Sequence, residues 1–532
     1  MESGHVPLSL DWHFITRIPL RQTRGPVTVR GSSPGAFAWR RNDNLDVMHA
    51  DEQETWAVPA AAGPVSARIW LPASKSITNR ALVLAALSDR PARIANPLRA
   101  RDTLLAAAAL RAMGTEVADD PGESGAASIP GSTPGSVPGS TSGATPGSAA
   151  GWRVTAGQPP AGSRVSVDVG NAGTVMRFLP AVAALTSATV HFDGDERIRQ
   201  RPVGPILAAL RQLGAHIDDG SRGAAPFTVH GHGQVRGGAV TLDASGSSQL
   251  ISGLLLAAPR FDEGIEIRHQ GPPIPSAPHI AMTVRMLQAA GADVSETAWS
   301  GSYLARGSGV RPFCWQVRPG RLDLGSITVE PDLSNAGPFL AAALVTGGTL
   351  SLPGWPQAGN GHSLQAAAPI LSVLTDMGAR CEVGADGLTI SGPGTVRGIT
   401  ADLRDVAELA PVLTAAAALA DTPSTFTGLA HTRRHETDRL AALAKEINAL
   451  GGDVTELPDG LQVRPRPLRV HAADGPFGSY DDHRMVMAAA VLGLAVPGIR
   501  VAGVQTVAKT FPAFTGVWAD MLAGEHDPGT AW

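Results

Sequence analysis

One pattern recurs five times along this 532-residue chain: apolar residues at helical spacing, then a glycine, then a short β-prone stretch. Examples are residues 103–117 (TLLAAAALRAMGTEV) and residues 440–454 (LAALAKEINALGGDV). The five glycines suit the left-handed residue that ends many helices, and they are Gly114, Gly214, Gly291, Gly378 and Gly451. A sixth, divergent unit begins within residues 484–496 (RMVMAAAVLGLAV). The repeat predicts an α/β protein of about six modules, three to a domain.

Length and composition exclude several classes of protein. Hydrophobic residues make up 43% and charged residues 17% of the chain, which is typical of a globular protein with more than one core. We expect no membrane segment, because every long apolar stretch is interrupted, and no secretory signal at the N-terminus. The net charge of −4 argues against a protein that coats nucleic acid. Two cysteines, Cys314 and Cys381, form neither a disulfide framework nor a metal cluster, so we expect a cytoplasmic location.

Two stretches depart from the repeat. Residues 1–57 are rich in arginine, glycine and proline without sustained periodicity, so we interpret them as a poorly ordered N-terminal extension. Residues 121–151 repeat the letters PGS, a composition typical of a flexible solvated loop. We interpret this second stretch as an insertion within the first module.

Hydroxyl, amide and basic side chains precede several apolar helical segments in the first half of the chain. Such groups at a helix start can bind a small anion, although each could also only cap its helix. They are Ser74, Lys75, Ser76, Asn79 and Arg80, then Asn171, Gly173, Thr174 and Arg177, then Arg197, Arg199 and Arg201, then Ser245, Ser247, Ser248 and Gln249, and finally Ser276 and His279.

The second half carries a similar set. Residues 431–439 crowd His431, Arg433, Arg434, His435, Glu436, Asp438 and Arg439 into nine positions, and residues 481–484 are Asp481, Asp482, His483 and Arg484. Glu408 is expected as a lone acid within an apolar helix, and Asp332 as an acid just before another. A carboxylate in such a setting tends toward a raised pKa and is a candidate proton shuttle. Cations at equivalent places in both halves of a slightly acidic chain predict a small, highly anionic ligand bound between two domains.

Lysine is scarce enough to be informative. Only three of the 43 basic residues are lysines, namely Lys75, Lys445 and Lys509. An ammonium is a compact charge that can exchange a proton, whereas a guanidinium cannot readily do so. Two of the three, Lys75 and Lys509, lie in segments flanked by serine or threonine, and this placement makes them candidates for chemistry.

Seven ordered motifs resemble the EPSP synthase family of enolpyruvyl transferases. They are SKSITNRAL (74–82), NAGTVMR (171–177), RQRPVGPIL (199–207), SSQ (247–249), HETDRL (435–440), DDHRMVM (481–487) and AKTFP (508–512). The resemblance covers roughly residues 58–518 and implies two similar domains. Each would hold three βαβαββ repeats around a pseudo-threefold axis, an inside-out α/β barrel, with the active site in the interdomain cleft. It assigns residues 74–330 to the first domain, and residues 58–73 with 331–532 to the second.

The resemblance also implies the reaction and its substrates. The family transfers the enolpyruvyl group of phosphoenolpyruvate to the 5-hydroxyl of shikimate 3-phosphate by addition and elimination, releasing phosphate, on the route to chorismate and the aromatic amino acids. It needs no metal or organic cofactor, and phosphoenolpyruvate and shikimate 3-phosphate are its small-molecule partners. We expect a monomer that binds neither nucleic acid nor membrane. Glyphosate, which the family often binds in the phosphoenolpyruvate pocket, is expected to inhibit it.

Roles follow by motif match. Shikimate 3-phosphate is expected at Lys75, Ser76, Arg80, Ser247, Ser248, Gln249, Ser276, Glu408 and His435. Phosphoenolpyruvate is expected at Lys75, Gly173, Arg201, Gln249, Arg439, Arg484 and Lys509. Glu408 matches the acceptor of the 5-hydroxyl proton, Glu436 and Lys509 match the pair that protonates and deprotonates the methylene carbon, and Lys75 completes the catalytic set. Supporting positions are Asn171, Thr174, Asp332 and Asp482.

Three positions depart from the family pattern, since many relatives carry tyrosine at His279, asparagine at His431 and lysine at His435. An imidazole loses its charge as the pH rises through about 6.5. We therefore expect the KM for shikimate 3-phosphate to rise between neutral and alkaline pH because of His435.

Two alternatives stay open at this point. The sister enzyme that transfers enolpyruvyl to UDP-N-acetylglucosamine shares the fold, but it usually uses a mobile-loop cysteine, and neither Cys314 nor Cys381 lies beside an Arg/Gly-rich motif. A catalytically silent anion-binding protein on the same scaffold is the other alternative. Retention of all four proton-handling candidates argues against it.

Overall fold

A computed structural model describes residues 55–120, 151–298, 313–357, 363–471 and 475–524. Its α-helices are α1 (Lys75–Ala86), α2 (Arg101–Ala112), α3 (Gly173–Ala184), α4 (Gly204–Gln212), α5 (Gln249–Ala257), α6 (Pro278–Ala289), α7 (Gly337–Thr346), α8 (Ala367–Asp376), α9 (Ala410–Ala418), α10 (Arg439–Ala449), α11 (His483–Gly493) and α12 (Phe514–Ala523). Short 3₁₀ helices span Glu196–Gln200, Ala258–Arg260, Arg404–Leu409, Ala430–Arg434 and Val504–Lys509.

The strands up to residue 298 are β1 (Thr55–Ala57), β2 (Ser66–Arg68), β3 (Ala92–Ala95), β4 (Glu116–Asp120), β5 (Gly151–Thr155), β6 (Arg164–Asp168), β7 (Thr189–Asp193), β8 (His216–Asp218), β9 (Phe227–His230), β10 (Gly238–Leu242), β11 (Ile265–His269) and β12 (Val294–Ala298). Those that follow are β13 (Phe313–Val317), β14 (Ser326–Thr328), β15 (Thr349–Pro353), β16 (Arg380–Gly384), β17 (Gly387–Ser391), β18 (Thr400–Asp402), β19 (Ser424–Thr427), β20 (Asp453–Leu457), β21 (Gly460–Arg464), β22 (Phe477–Gly478) and β23 (Arg500–Ala502).

The predicted repeat is confirmed. Each of the five glycines has a positive φ, between 88° and 110°, and stands between a helix and a strand. The strands that follow them are β4, β8, β12, β16 and β20, and each is an edge strand of a four-stranded sheet. These five sheets share one pattern, a parallel pair followed by two antiparallel pairings, as in β6-β7-β9-β8.

The sixth unit diverges, as its sequence indicates. Its sheet has the order β1-β23-β22 within the described residues, with β22 parallel and β1 antiparallel to β23. The described last residues of the predicted N-terminal extension, Thr55–Ala57, form strand β1, so poor order does not apply to them; residues 1–54 lie outside the described residues. Likewise Gly151, the last residue of the predicted insertion, begins β5, and residues 121–150 lie outside the description.

Two hydrophobic cores divide the buried side chains. The first draws on residues 73–329, and the second draws on residues 58–71 and 333–521. We call the parts around these cores the first and second lobes. Helices α1, α3 and α5 contact one another in the first lobe, as do α7, α9 and α11 in the second. Every residue of α3, α9 and α11 is buried, so helices fill the centre and three sheets surround them in each lobe.

The chain passes between the lobes twice, side by side. Ala73 and Pro331 form an isolated β-bridge where the outgoing and returning segments meet. The backbone N–H of Ser74 donates to the carbonyl of Glu330, and that of Asp332 donates to the carbonyl of Pro72. The second lobe is therefore built from both sides of the first in the sequence, with β2 parallel to β15.

Candidate active site

The six central helices begin at one cleft between the lobes. Its lining includes Lys75 and Ser76 of α1, Thr174 of α3, Gln249 of α5, and His483 and Arg484 of α11. Ser334 before α7 and Glu408 before α9 complete the ring. Because a helix N-terminus presents unpaired N–H groups and partial positive charge, six of them together favour a strongly anionic ligand.

Lys75 begins α1 and points across the cleft wall to a carboxylate. Its Nζ lies 3.2 Å from Oδ2 of Asp102, which is buried at the start of α2. Its backbone N–H donates to Oδ2 of Asp332 at 3.2 Å, and Asp332 also accepts from Ser334 and Asn335. The side chain of Lys75 keeps 20% of its surface exposed, which leaves the ammonium accessible from the cleft.

Arg80 is buried one turn further along α1 without a carboxylate partner. Its guanidinium donates to the hydroxyls of Thr283 and Ser252 and to the carbonyls of Ser76 and His279. Burial lowers the pKa of Arg80 to about 9. Holding a charge there without a counter-ion is costly, so an anionic ligand in the cleft would stabilise it.

A second cationic group surrounds the start of α3. Arg201 donates through Nη1 to the carbonyl and side-chain oxygen of Asn171, at 2.9 and 3.1 Å. Arg177 donates to Oε1 of Gln249 at 2.9 Å. Burial, and then the charge of Arg201, lowers the pKa of Arg177 to about 9. Both arginines keep a buried Nε with no protein acceptor, so this group holds unused donors for an anion.

A buried charge cluster lies opposite, in the second lobe. Lys509 donates to Oε1 of Glu436 at 2.6 Å and to the carbonyl of Asn171 at 3.3 Å. Arg439 donates to Oε2 of Glu436 at 3.1 Å and through Nε to Asp482 at 2.7 Å. Burial raises the pKa of Glu436, but Lys509, Arg201 and Arg439 together hold it well below its usual value. Glu436 is therefore a carboxylate at neutral pH.

Glu408 corrects one expectation from the sequence. It stands in the 3₁₀ helix Arg404–Leu409 rather than inside a regular α-helix, with Oε1 3.8 Å from Nδ1 of His279. Burial raises its pKa, but His279 and Arg484 outweigh burial, so the pKa of Glu408 is lowered and not raised. A resting carboxylate is the form that accepts a proton.

The environment of His435 corrects the expected pH dependence of the KM for shikimate 3-phosphate. Burial, together with Arg439 and His431, holds the pKa of His435 well below 6.5, and its Nδ1 lies 3.3 Å from Nη1 of Arg439. The imidazole is therefore already neutral at neutral pH. The predicted rise in KM between neutral and alkaline pH is therefore not expected, because the charge is lost at a lower pH.

Further hydrogen bonds join the lobes around the cleft, in addition to the one from Lys509 to the carbonyl of Asn171. The N–H of Ser276 donates to the carbonyl of Arg404. Arg285 of α6 donates through Nη1 to the carbonyl of Ser363 at 2.7 Å and through Nη2 to that of Leu364 at 3.4 Å. Arg197 donates to carbonyls at the His435–Glu436 segment. The lobes therefore contact each other around the cleft, and we call this arrangement the closed state.

Most of the predicted residues meet in this cleft. The predicted residues that line it are Lys75, Ser76, Arg80, Thr174, Arg201, Ser247, Gln249, Asp332, Glu408, His435, Glu436, Arg439 and Arg484. Asn171, Asp482 and Lys509 lie behind the lining and bond to it. Gly173 is directly under Arg201, since a Cβ there would lie 2.5 Å from its Nη2. Ser248 and Ser276 are buried and are not part of the lining.

The structure adds candidate functional residues that the role assignment missed. Asp102 holds Lys75, Thr283 and Ser252 hold Arg80, and Arg197 crosses between the lobes. Buried His483 lines the cleft with neither ring nitrogen hydrogen-bonded. Only Arg197 and His483 had a signal in the sequence, since both stand in charged motifs. Asp102 is ordinary in sequence, and only its contact reveals it.

The part of the chain that the structure describes holds no cluster of three or more histidine, cysteine or acidic side chains that could bind a metal ion. Within the same ranges, no helix is both long and apolar enough to cross a membrane.

Known proteins resemble this chain in sequence and in fold. A family model described as EPSP synthase (3-phosphoshikimate 1-carboxyvinyltransferase) matches residues 59–138 and 149–518. A protein of Kocuria rhizophila named 3-phosphoshikimate 1-carboxyvinyltransferase is 45% identical over 483 residues, which is 90% of this chain and 99% of that protein. A solved EPSP synthase from Acinetobacter baumannii has a TM-score of 0.63 at 24% identity, covering 87% of this chain and 97% of that one. The enolpyruvyl transferase NikO from Streptomyces tendae has a TM-score of 0.60 at 16% identity, covering 88% and 98%. At these identities the two structures show the fold alone.

Proposed function

The chain is a transferase that belongs to the EPSP synthase family, and from this premise we propose how its cleft moves the enolpyruvyl group of phosphoenolpyruvate to the 5-hydroxyl of shikimate 3-phosphate. The observation that carries the proposal is the buried Lys509–Glu436 pair, 2.6 Å apart, next to a cleft lined by cations from both lobes. This pair would supply the proton donor and its partner beside two acidic substrates.

The cations explain how two mutually repelling substrates can bind together. Phosphoenolpyruvate and shikimate 3-phosphate bring about five negative charges into one cleft. We assign phosphoenolpyruvate to the group around Arg201, Gln249, Arg484, Lys75 and Lys509, with Gly173 beneath it. Arg439 joins this group through Nη1, since its Nε and Nη2 hold Asp482 and Glu436.

Shikimate 3-phosphate is assigned to the first-lobe side of the cleft. Ser76, Arg80, Ser247 and Gln249 line that side, and Glu408 and His435 face it from the second lobe. Ser248 and Ser276 support the wall from behind the lining, so their assigned contacts require a small shift when ligand binds. Bidentate donation by arginine to carboxylate or phosphate then fixes orientation as well as charge.

The addition step uses two protons. The 5-hydroxyl oxygen forms a bond to C2 of phosphoenolpyruvate while the Glu408 carboxylate takes the hydroxyl proton. The electron pair of the double bond takes a proton onto C3 from the Lys509 ammonium, since Glu436 has no proton to give at neutral pH. The product of this step is a tetrahedral phospho-ketal.

The elimination step reverses the proton movement at C3. The Lys509 amine, with Glu436 beside it, removes a proton from the new methyl group. The C–O bond to phosphate breaks, the double bond re-forms, and the leaving phosphate takes the proton held by Glu408. Both acid–base groups return to their starting state, so one lysine–glutamate pair serves both steps.

A coupled phosphate-release assay tests this proposal. With phosphoenolpyruvate present, we expect phosphate to appear with shikimate 3-phosphate and not with UDP-N-acetylglucosamine. Release only with the UDP-sugar would assign the sister reaction instead, and release with neither would indicate a silent anion-binding protein. Against the sister reaction, Cys314 lies on β13 and Cys381 on β16, both away from the cleft, and burial raises the pKa of each thiol.

We further propose a cytoplasmic monomer whose two domains follow the two cores, 74–330 and 58–73 with 331–532. In support, residues of this one chain supply every side chain assigned above, and both described cysteines are free thiols. Light scattering of the purified protein tests the monomer, and a mass near 109 kDa, twice the 54.7 kDa of one chain, would overturn it.

A further inference from the structure

Arg197 reaches from the first lobe to the backbone of the second. It stands in the 3₁₀ helix Glu196–Gln200, and its Nε donates to the carbonyl of Glu436 at 2.9 Å. Its Nη2 donates to the carbonyl of His435 at 3.2 Å, and its Nη1 donates to Oε1 of Gln200 at 2.8 Å. Two donors of one planar guanidinium therefore hold two successive carbonyls across the cleft.

One of these carbonyls belongs to Glu436, whose carboxylate holds the Lys509 ammonium that transfers the proton. His435 follows the 3₁₀ helix Ala430–Arg434, and Arg439 begins α10, so Glu436 lies in the short link between two helical elements. Lys509 and Arg439 hold its carboxylate from within the same lobe. Arg197 adds bonds to the two main-chain carbonyls of this link, so the position of the Glu436 backbone is tied to the opposite lobe as well.

The same 3₁₀ helix also delivers a substrate ligand. Arg201 directly follows Gln200 at the end of this helix and lines the cleft. Approach of the lobes therefore brings Arg201 to the substrate and Arg197 to the Glu436 carbonyl as one rigid movement. In the closed state, Arg197 holds the Glu436 carbonyl and Lys509 holds the Glu436 carboxylate. Lys509 also bonds to Asn171 of the first lobe, so Glu436 is fixed from two sides only when the lobes are together.

We propose that Arg197 is a positioning residue that orients Glu436, and through it the Lys509 ammonium, for proton transfer at C3 when the lobes close. This inference rests on the role given to the Lys509–Glu436 pair above. A positioning error of about 1 Å at a reacting group can reduce the rate by as much as ~100-fold, so the contact is large enough to matter.

The first experiment compares Arg197→Ala with Arg199→Ala, its neighbour in the same helix. Arg199 is exposed and bonds only within its own lobe, to Asp193 at 2.7 and 2.9 Å. For Arg197→Ala we expect kcat to fall roughly 10- to 100-fold with little change in either KM, and deuterium incorporation from D₂O into the C3 methylene of phosphoenolpyruvate to fall in parallel. Arg199→Ala should change neither quantity. Equal, small effects of the two substitutions would overturn the proposal.

A second comparison separates positioning from simple loss of closure. Arg285→Ala removes another arginine that joins the lobes, through the carbonyls of Ser363 and Leu364 rather than those of His435 and Glu436. It should raise both KM values and leave kcat, and deuterium incorporation per turnover, unchanged. If Arg197→Ala gave the same pattern as Arg285→Ala, Arg197 would be a closure contact only, and the positioning role would be wrong.

A double-variant cycle tests whether Arg197 acts through Glu436. In single-turnover measurements, Arg197→Ala should cost little further rate in a Glu436→Gln background, because the group it positions is gone. Additive losses would contradict the proposal. Arg197→Lys, which can make only one of the two bonds with good geometry, should recover part of the rate.

An error in the proposed role of Glu436 can be distinguished from an error in the proposed role of Arg197. If Glu436→Gln alone kept full turnover and C3 exchange, the role given to Glu436 would be wrong, whatever Arg197 does. If Glu436→Gln lost exchange while Arg197→Ala kept it, only the inference about Arg197 would be wrong.

Discussion

Gly173 sets how closely the backbone of α3 approaches the arginines of the cleft. A Cβ at this position would lie 2.5 Å from Nη2 of Arg201 and 2.8 Å from Nη1 of Arg177. Both neighbours are far ends of flexible side chains, so they can shift, but the shift moves the groups assigned to phosphoenolpyruvate. The glycine therefore matters for ligand geometry more than for folding.

Gly173→Ala should raise the KM for phosphoenolpyruvate by about tenfold and the inhibition constant of glyphosate by more, since the added methyl narrows the same pocket. Steady-state kinetics with and without glyphosate measure both constants. Gly516→Ala, at an exposed position of α12 where a Cβ meets nothing within 4 Å, is the matched control and should change neither. Equal factors for substrate and inhibitor would count against the assignment of this pocket.

Lys509→Arg keeps the positive charge beside Glu436, but a guanidinium cannot readily give up a proton and take it back as the lysine ammonium can. We expect kcat to fall by about 1,000-fold, the size of a lost general acid–base group, while substrate binding measured by fluorescence or calorimetry changes far less. Lys445→Arg is the control. Lys445 lies on α10, away from the cleft, with its ammonium over the ring of Tyr480. Full activity of Lys509→Arg would remove Lys509 from the mechanism.

For single residues, the sequence predicts which side chains are candidates for the site better than it predicts the electrostatic environment of each. Lysine at positions 75 and 509 was predicted from its scarcity and its neighbours, and the structure places both at the cleft. The pKa of Glu408 was expected to be raised, yet His279 and Arg484 lower it. Those two partners come from distant parts of the chain, and no local pattern shows their approach.

Among the short elements, the 3₁₀ helix Ala430–Arg434 carries a histidine whose protonation opposes folding. Burial lowers the pKa of His431 to about 4, from an ordinary 6.5, and its Nε2 is buried without a partner. The unfolded chain therefore takes up a proton as the pH falls below 6.5, while the folded chain does not. The contribution of this neutral histidine to stability is complete above pH 6.5 and is lost progressively down to pH 4.

His431→Asn removes this titration. Between pH 7 and pH 5 the wild-type free energy of unfolding should fall by about 2 kcal/mol more than that of the variant, by the linkage of proton binding to folding. Denaturant unfolding curves at the two pH values measure the difference. Parallel losses in both proteins would show that His431 titrates normally in the folded state.

The hairpin of β4 and β5 leads to a prediction about the insertion. Asp120 and Gly151 are directly opposite each other in the antiparallel pair, so the two strand ends need only a short turn. Replacing residues 121–150 by Asn-Gly should leave kcat/KM within about twofold and preserve Tm, because this dipeptide suits a two-residue hairpin turn. A direct fusion of Asp120 to Gly151 has no room to reverse the chain and should lower Tm. Loss of activity in the Asn-Gly variant would show that the insertion contributes to function.

Periodicity predicted the elements themselves well. Five helix–glycine–strand units were expected, and each is present, because a capping glycine after helical spacing is a local signal. The 3₁₀ helices that carry Arg197, Glu408 and Lys509 were not predicted, since they are too short to have a period. They carry candidate functional side chains all the same, and their contacts with distant elements, such as those of Arg404–Leu409 with α8, have no local signal in the sequence.

At the scale of the whole molecule, we expect substitution of Arg285 to weaken closure of the two lobes. Its bonds to the carbonyls of Ser363 and Leu364 join the lobes without touching the residues assigned to chemistry. Arg285→Ala should enlarge the ligand-free radius of gyration in X-ray scattering. Both KM values should rise about three- to tenfold, because substrate must then supply more of the free energy of closure. An unchanged scattering profile and unchanged KM values would show that this contact does not hold the closed state.

The division into two cores was predicted in outline from the repeat count, while the pairing of strands across long separations was not. The boundary near residues 73 and 331 came from the family resemblance and stays a proposal, which the membership of the two cores supports. Helical and strand periods describe single elements, and they carry no information on which element returns to which sheet. That β14 joins β3, and β2 joins β15, became visible only in the folded chain.

The double crossing also bears on how the protein is made. Strands β1 and β2 leave the ribosome first, but their partners β23 and β15 emerge only after the entire first lobe has been synthesised. At ordinary elongation rates this delay is on the order of tens of seconds, long enough for the first lobe to fold while still attached. The nascent chain therefore carries β1 and β2 without their partner strands during synthesis of the first lobe. The second lobe can be completed only when translation is nearly finished, because β23 lies near the end of the chain.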